Sequence, residues 1–207
     1  AEQAALTKVR KAGLGLLMAS SEGRTRPAAF VEDTAVPPEH LHEYVARFQQ
    51  IFAAHGLRAG FYGHCSVGCL HIRPFLDLRA AGGVDVMREV AEEVAEMVLR
   101  YGGVNASEHG DGLVRSPFQK KMYGPNLYEA FREIKRTFDP AGVFNPGKIV
   151  EAPPLTDNLR FGPRYATRAV DTAFDFSEFG GMSQAAEQCG GIGACRKTLT
   201  GTMCPSY

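Results

Sequence analysis

Apolar residues recur every three to four positions in three stretches of the chain, a period typical of amphipathic helices. These stretches lie within residues 37–56, 86–103 and 126–138, and Pro or Gly stands at their limits. The apolar positions are Leu41, Tyr44, Val45, Phe48, Ile51 and Phe52; Val86, Val90, Val94, Met97 and Tyr101; and Leu127, Phe131, Ile134 and Phe138. The pattern predicts three helices that each turn one face toward a core.

Short extended segments alternate with these helices. They span residues 28–32, 58–63, 69–73 and 103–107, and each is bounded by Gly, Pro or Ser. This order of elements predicts an α+β fold, with helices packed on a small, mostly antiparallel sheet. Residues 151–182 are rich in Pro, Arg, Asp and Thr without helical periodicity, which is typical of a linker that wraps a surface.

Composition narrows the class of protein. The chain has 207 residues and 44% hydrophobic residues, enough for a core. Lys plus Arg and Asp plus Glu both number 23, so the formal net charge is zero. This balance argues against a nucleic-acid partner and favours a small metabolite. The sequence contains neither an apolar run long enough for a transmembrane helix nor a signal-peptide pattern.

Five cysteines, an odd number, lie in two clusters, an arrangement that disulfide scaffolds rarely use. We therefore expect a reducing, cytoplasmic compartment. The chain starts without Met, inside a helical-looking segment, and we expect it to be a piece of a longer parent protein.

Residues 58–64 and 69–73 read as two antiparallel strands joined by a short turn. In the simplest register His64 faces Cys69 and Tyr62 faces His71. Since side chains alternate between the two faces of a strand, His64, His71 and Arg73 share one face. Leu70 and Ile72 then point to the core. Imidazoles at diagonal positions come close enough to share one metal ion.

A third metal ligand is predicted in the segment NASEHGDGLVR, residues 105–115. Glu108 with two histidines would suit Zn²⁺, Mn²⁺ or Fe²⁺. In an extended chain His109 points the opposite way, free of the metal, and can serve as a general base. The alternatives are half-buried structural histidines and an ordinary turn. Arg73 is either a solvent charge on an edge strand or a grip for a substrate carboxylate.

Three motifs together identify a family. GHCSVGCLHIRP, SEHGDGLVRS and YEAFREIKRTFDPAGVFNPGKIV occur in this order. In combination they resemble the C-terminal half of FAD-linked oxidases of the vanillyl-alcohol-oxidase type, above all the D-lactate, glycolate and D-2-hydroxyglutarate dehydrogenases. The resemblance covers about residues 1–150.

The resemblance implies a division of the chain. Residues 1–138 would form a ferredoxin-like α+β cap domain, the substrate domain. Residues 139–152 would return to the FAD-binding domain, with Asn145 near the flavin. A linker would follow at 153–182, and residues 183–207 would begin a 4Fe-4S domain.

The resemblance also implies the site. His64, His71 and Glu108 fall on the family's metal ligands, His109 falls on its catalytic base, and Arg10 falls on a residue that binds substrate carboxylate. The hairpin departs from the family pattern His-x-Gly-Asp-Gly-Asn-Leu-His. The departing residues are Ser66, Val67 and Cys69, and Arg73 stands where hydroxyglutarate enzymes tend to carry Asn.

The tail carries the spacing Cys189-x5-Cys195-x8-Cys204-Pro205. It differs from the compact ferredoxin run but resembles the first motif of the iron–sulfur domain that follows some oxidases of this family. Cys189, Cys195 and Cys204 would then be cluster ligands of the parent protein. The alternative is that they are free thiols.

For the parent, the resemblance implies oxidation of a D-2-hydroxy acid by hydride transfer to FAD. The substrate carboxylate would lie on Arg10 or Arg73, and His109 would take the hydroxyl proton. Electrons would pass to the iron–sulfur module and then to an external acceptor. The parent protein could also associate peripherally with the inner face of the membrane. The alternatives are a metal-independent flavin alcohol oxidase of the same family and a non-catalytic electron-transfer subunit.

Overall fold

Eight consecutive residues, Cys69–Leu76, form the strand on which the sheet is built. In the computed structural model, which describes residues 2–189, this strand pairs antiparallel with each of the other strands. In chain order the elements are α1 (Glu2–Ala19), β1 (Arg26–Pro27), β2 (Thr34–Ala35), α2 (Leu41–Ala54), β3 (Ala59–His64), β4 (Cys69–Leu76), α3 (Gly83–Arg100), α4 (Gly112–Arg115), α5 (Gln119–Phe138) and α6 (Met182–Glu187).

The topology is that of two interleaved β-α-β units. The first unit is β2, α2 and β3, and the second is β4, α3 and a single bridge at Val104. Across the sheet the order is Val104, β2, β4 and β3, with every neighbouring pair antiparallel. This is a ferredoxin-like arrangement, and the predicted α+β class is confirmed.

The hairpin of β3 and β4 has the predicted register. His64 pairs with Cys69, and Tyr62 pairs with His71. The turn between the strands closes at Gly68, whose φ is 69°. A Cβ atom there would lie 1.8 Å from the carbonyl oxygen of Val36, so only glycine fits.

The core lies between one face of the sheet and the helices α2 and α3. Ile72 of β4 is fully buried against this layer, as predicted, and Leu70 is 4% exposed. Full burial of an aliphatic or aromatic side chain contributes about 1.5–3 kcal/mol. The helix residues that are fully buried beside them are Tyr44, Phe48, Val90, Ala95 and Val98.

The predicted helices are confirmed, and the third is longer than predicted. It begins at Gln119 and contains a break at Gly124, whose φ of 77° and ψ of 167° are not helical, followed by Pro125. The predicted range 126–138 is therefore the regular part after the break. The helix ends at Phe138, and the carboxylate of the following Asp139 accepts hydrogen bonds from the N–H groups of Val143 and Phe144.

Two predicted strands are wrong. Residues 28–32 leave the sheet between two hydrogen bonds to β4, from Ala28 N to Pro74 O and from Asp33 N to Leu70 O. The segment has one residue more than β4 between these bonds, so it bulges, and Asp33 adopts a φ of 72°. Residues 103–107 keep only the bridge at Val104, because the chain then turns toward the Asp33 side chain.

The segment after α5 is held against the domain by a buried ion-pair cluster. Leu155 joins the core. The Glu187 carboxylate lies 2.9 Å from Arg79 Nη2 and 3.6 Å from Arg26 Nη2, and Tyr165 donates its hydroxyl to it at 2.8 Å. Burial alone would raise the pKa of Glu187, but these hydrogen bonds and cations leave the pKa below its usual value.

Within residues 2–189 no helix combines the length and the apolar character needed to cross a bilayer.

Glu187→Gln is expected to release this segment. The amide cannot balance two buried guanidinium groups, and breaking a buried pair costs about 3–5 kcal/mol. Amide hydrogen exchange, followed by mass spectrometry, should become faster in residues 161–189 and stay unchanged in α2 and α3. Glu178→Gln, at an exposed position of the same segment, is the control. Equal protection in both variants would show that Glu187 does not hold the segment.

Candidate functional site

One carboxylate oxygen joins the two histidines of the hairpin. Oε1 of Glu108 lies 3.2 Å from Nε2 of His64 and 2.9 Å from Nε2 of His71. The two rings are nearly perpendicular, with centroids 5.2 Å apart. His71 is buried, whereas Glu108 is partly open to solvent. The structure therefore brings the three predicted metal ligands together from two strands and the turn that follows α3.

This donor set fits a divalent transition metal. Two imidazole nitrogens and one carboxylate oxygen converge on a small volume, and such three-ligand sets leave positions open for a substrate. The open side faces a cavity of about 850 Å³. Its walls include Arg10, Lys11, Leu14, Leu17, Tyr62 and Arg73, together with His109.

His109 does not point away from the site, and this prediction is wrong. Its ring stacks on His71, with centroids 4.8 Å apart and planes 9° apart. Nδ1 lies 3.6 Å from Glu32 Oε1, and Nε2 lies 3.7 Å from Glu108 Oε1. The chain at this point is bent rather than extended, so strand alternation does not apply to neighbouring residues.

The bend is organised by Asp33, a residue that sequence reasoning missed. Its fully buried carboxylate accepts hydrogen bonds from the N–H and hydroxyl of Ser107 and from the N–H groups of Glu108 and His109. Burial alone would raise the pKa of Asp33, but these donors outweigh it and lower the pKa. The only available signal was a Glu-Asp pair inside an otherwise apolar segment.

A second group of metal-type donors overlaps the first. Ligand atoms of Asp33, Cys69, His71 and Glu108 lie within 4.8 Å of one another. Both Asp33 oxygens already accept hydrogen bonds, and Cys69 Sγ lies 3.1 Å from the oxygen of the Ser107 hydroxyl, which donates to Asp33. His64 is not part of this second group, but the hydrogen bonds that Asp33 already accepts favour the set that contains both histidines.

Arg10 reaches the site from α1. Its Nη2 lies 3.1 Å from Nδ1 of His64. Because a guanidinium only donates, Nδ1 is the acceptor, and the ring proton sits on Nε2 beside Glu108. Among the described residues Arg10 has no carboxylate partner, so its charge is available to an anionic ligand.

Arg73 is committed to another residue. Its Nη2 lies 2.7 Å from Glu32 Oε2, and both side chains are largely buried. Since β4 is paired on both sides, the alternative of a solvent charge on an edge strand is wrong. Glu32 thus lies between Arg73 and His109.

The predicted cofactor residues lie elsewhere. Asn145 lines a separate cavity of about 500 Å³, with Phe131, Ile134 and Phe144. This cavity also touches Gly112, three positions after His109 in the chain. Cys189 follows α6 closely, and Cys195 and Cys204 lie outside the described residues.

Comparison with known proteins gives the family. Residues 1–149 match the model of the FAD linked oxidases, C-terminal domain. The chain belongs to this family. The chain is 38% identical over 202 residues to a D-2-hydroxyglutarate dehydrogenase of Haemophilus influenzae, covering 96% of the chain and 19% of that protein.

Other members of the family are similar as well. A D-2-hydroxyglutarate dehydrogenase of Pseudomonas putida is 38% identical over 208 residues, covering 98% of the chain and 20% of that protein. A D-lactate dehydrogenase of Archaeoglobus fulgidus is 31% identical over 129 residues, covering 62% of the chain and 28% of that protein. The chain thus spans about a fifth of the length of its hydroxyglutarate relatives.

The two hairpin cysteines are expected to differ in reactivity. Burial raises the pKa of Cys69, whereas Cys65 is exposed on the turn. A brief treatment of the native chain with an alkylating reagent near neutral pH should modify Cys65 and spare Cys69, because the thiolate is the reactive form. Peptide mass spectrometry gives the result, and the denatured chain is the control. Equal modification in the native state would contradict the buried position of Cys69.

Proposed function

We propose that the chain is the substrate domain of a flavin-dependent dehydrogenase that oxidises a D-2-hydroxy acid at a metal site. One observation carries this proposal: Glu108 Oε1 lies within 3.2 Å of Nε2 of both His64 and His71, on the wall of the cavity that Arg10 lines. His64, His71 and Glu108 would hold Zn²⁺, Mn²⁺ or Fe²⁺.

The relatives support 2-hydroxyglutarate as the substrate. Two of them are named D-2-hydroxyglutarate dehydrogenases, and this substrate carries two carboxylates. Arg10 would bind one carboxylate through paired donors. Arg73 lines the same cavity, but its charge is balanced by Glu32, so we assign it the weaker role of shaping the wall.

Metal loading and substrate binding would be linked through His64. A metal on Nε2 requires the ring proton to sit on Nδ1, and a protonated Nδ1 can no longer accept from Arg10. The guanidinium would then turn to the substrate carboxylate.

His109 would act as the general base. Its ring is held by the stack on His71, and Nε2 points toward Glu108 at the cavity wall. Glu32 near Nδ1 would orient the ring and stabilise its protonated form. When bound, the metal would act as a Lewis acid on the substrate hydroxyl and the flavin would accept the hydride.

The flavin domain would dock on an apolar surface formed by α5 and the segment after it. The large apolar side chains exposed there are Leu127, Ile134, Phe138, Val143, Phe144 and Ile149. Exposed apolar side chains gathered in one part of the chain are typical of an interface. Asn145 lines a cavity together with Ile134, Phe144 and Ile149 of this set, and we propose that it faces the flavin.

We further propose that Cys189, Cys195 and Cys204 are ligands of a 4Fe-4S cluster that passes electrons to an external acceptor. Two observations support this role. The Cys-Pro ending follows a Gly-rich spacing, and similarity to the hydroxyglutarate relatives extends over nearly the whole chain. We also predict that the parent protein is cytoplasmic, either at the inner face of the membrane or away from it.

Metal binding is the first test. The chain, purified without chelators, is expected to carry a stoichiometric amount of zinc, manganese or iron by elemental analysis. His71→Ala should lose it, because one of three ligands is gone. His42→Ala, at an exposed position on α2, should retain it. Metal retained equally by both variants would overturn the assigned ligands, and absence of metal from the unmodified chain would favour the metal-independent oxidase.

The base is tested in the full-length parent enzyme. His109→Ala is expected to lower kcat for a D-2-hydroxy acid by at least about 10²-fold, the lower limit for general-base catalysis. His42→Ala again serves as the control. Unchanged turnover would remove His109 from the mechanism, and a parent that oxidises no hydroxy acid would favour the electron-transfer subunit.

A further inference from the structure

The loop that carries Glu108 and His109 has no strand partner to hold it. After the bridge at Val104 the described chain makes no further sheet pairing before α4. Its N–H groups instead converge on the Asp33 carboxylate. The distances are 3.1 Å from Ser107 N to Oδ2, 3.1 Å from Glu108 N to Oδ1 and 2.8 Å from His109 N to Oδ2.

We propose that Asp33 is the positioning residue of the site. Its carboxylate gathers three successive N–H groups, which fixes the side chains of Glu108 and His109 over His71. The inference rests on the proposed function, since it concerns how that site is built. Asp33 is not itself assigned as a metal ligand, because its oxygens are occupied by these donors and by the Ser107 hydroxyl at 2.8 Å.

The backbone of Asp33 supports this role. Its φ of 72° lies in the left-handed region, which Asp and Asn tolerate better than other side chains. This conformation lies beside the bulge of residues 28–32, where Asp33 N remains bonded to Leu70 O of β4. The carboxylate is therefore anchored to the same strand that carries His71, so one rigid connection links the loop to the hairpin.

The Asp33→Asn variant removes the carboxylate but keeps a side chain that tolerates the left-handed backbone conformation. Asn tolerates the same φ and has nearly the same size, but one of its two acceptors becomes a donor that faces N–H groups. In the metal-free chain, hydrogen exchange of the amides of residues 107–109 should become faster while exchange in α2 and α3 stays unchanged. The dissociation constant for Zn²⁺ alone should rise about 10–100-fold, as for other residues that orient metal ligands.

Asp175→Asn is the matched control, because Asp175 is exposed and accepts one N–H from Ser177 outside the site. If Asp33→Asn fails to fold, Ser107→Ala serves instead, with a smaller effect in the same direction. Unchanged exchange at residues 107–109, or faster exchange throughout the domain, would overturn the positioning role. The positioning role would also be overturned if Asp33→Asn left the zinc affinity unchanged while Glu108→Gln weakened it. Absence of zinc binding by the unmodified chain would instead overturn the metal site of the proposed function.

Discussion

The register of the β3–β4 hairpin is the constraint on which the rest of the structure depends. Side chains alternate along a strand, so one register assigns every residue of β4 to a face. Leu70 and Ile72 enter the core, while His71 and Arg73 line the cavity. A slip by one residue would bury the histidine in the core and expose the isoleucine. The apolar core therefore sets the position of the site, and Gly68 fixes the turn that keeps the register.

The hairpin supplies two of the proposed metal ligands, and a loop without strand partners supplies the third ligand and the proposed base. Because this loop has no strand partner, hydrogen bonds and ion pairs to buried carboxylates hold it in place. Asp33 takes the N–H groups of the loop, and Glu32 lies between Arg73 and His109. These two adjacent acidic residues thus hold the polar side of the site. Asp33 binds backbone N–H groups, and Glu32 contacts side chains. Both are buried, and both lie at the end of the bulge that leaves the sheet.

The sequence was sufficient to predict those parts of the site that lie on regular helices and strands. Periodicity gave the helices, and alternation gave the pairing of His64 with Cys69 and the shared face of His64 and His71. It failed where the backbone leaves regular geometry. The bulge before Asp33 and the bend at His109 depend on hydrogen bonds between residues far apart in the chain, which no local pattern contains. The roles predicted for Asn145 and the tail cysteines came from the family resemblance and not from a local pattern.

We propose that His64, His71 and Glu108 form one metal site on the wall of the cavity that Arg10 lines. A crystal structure of the chain with Mn²⁺ or Zn²⁺, with anomalous scattering data collected at the absorption edge of the metal, would locate the ion. We expect one strong anomalous peak within bonding distance of Nε2 of both histidines and of Glu108, with Arg10 withdrawn from His64. A peak bonded to Cys69 and Asp33 instead, or no peak between the histidines, would contradict it.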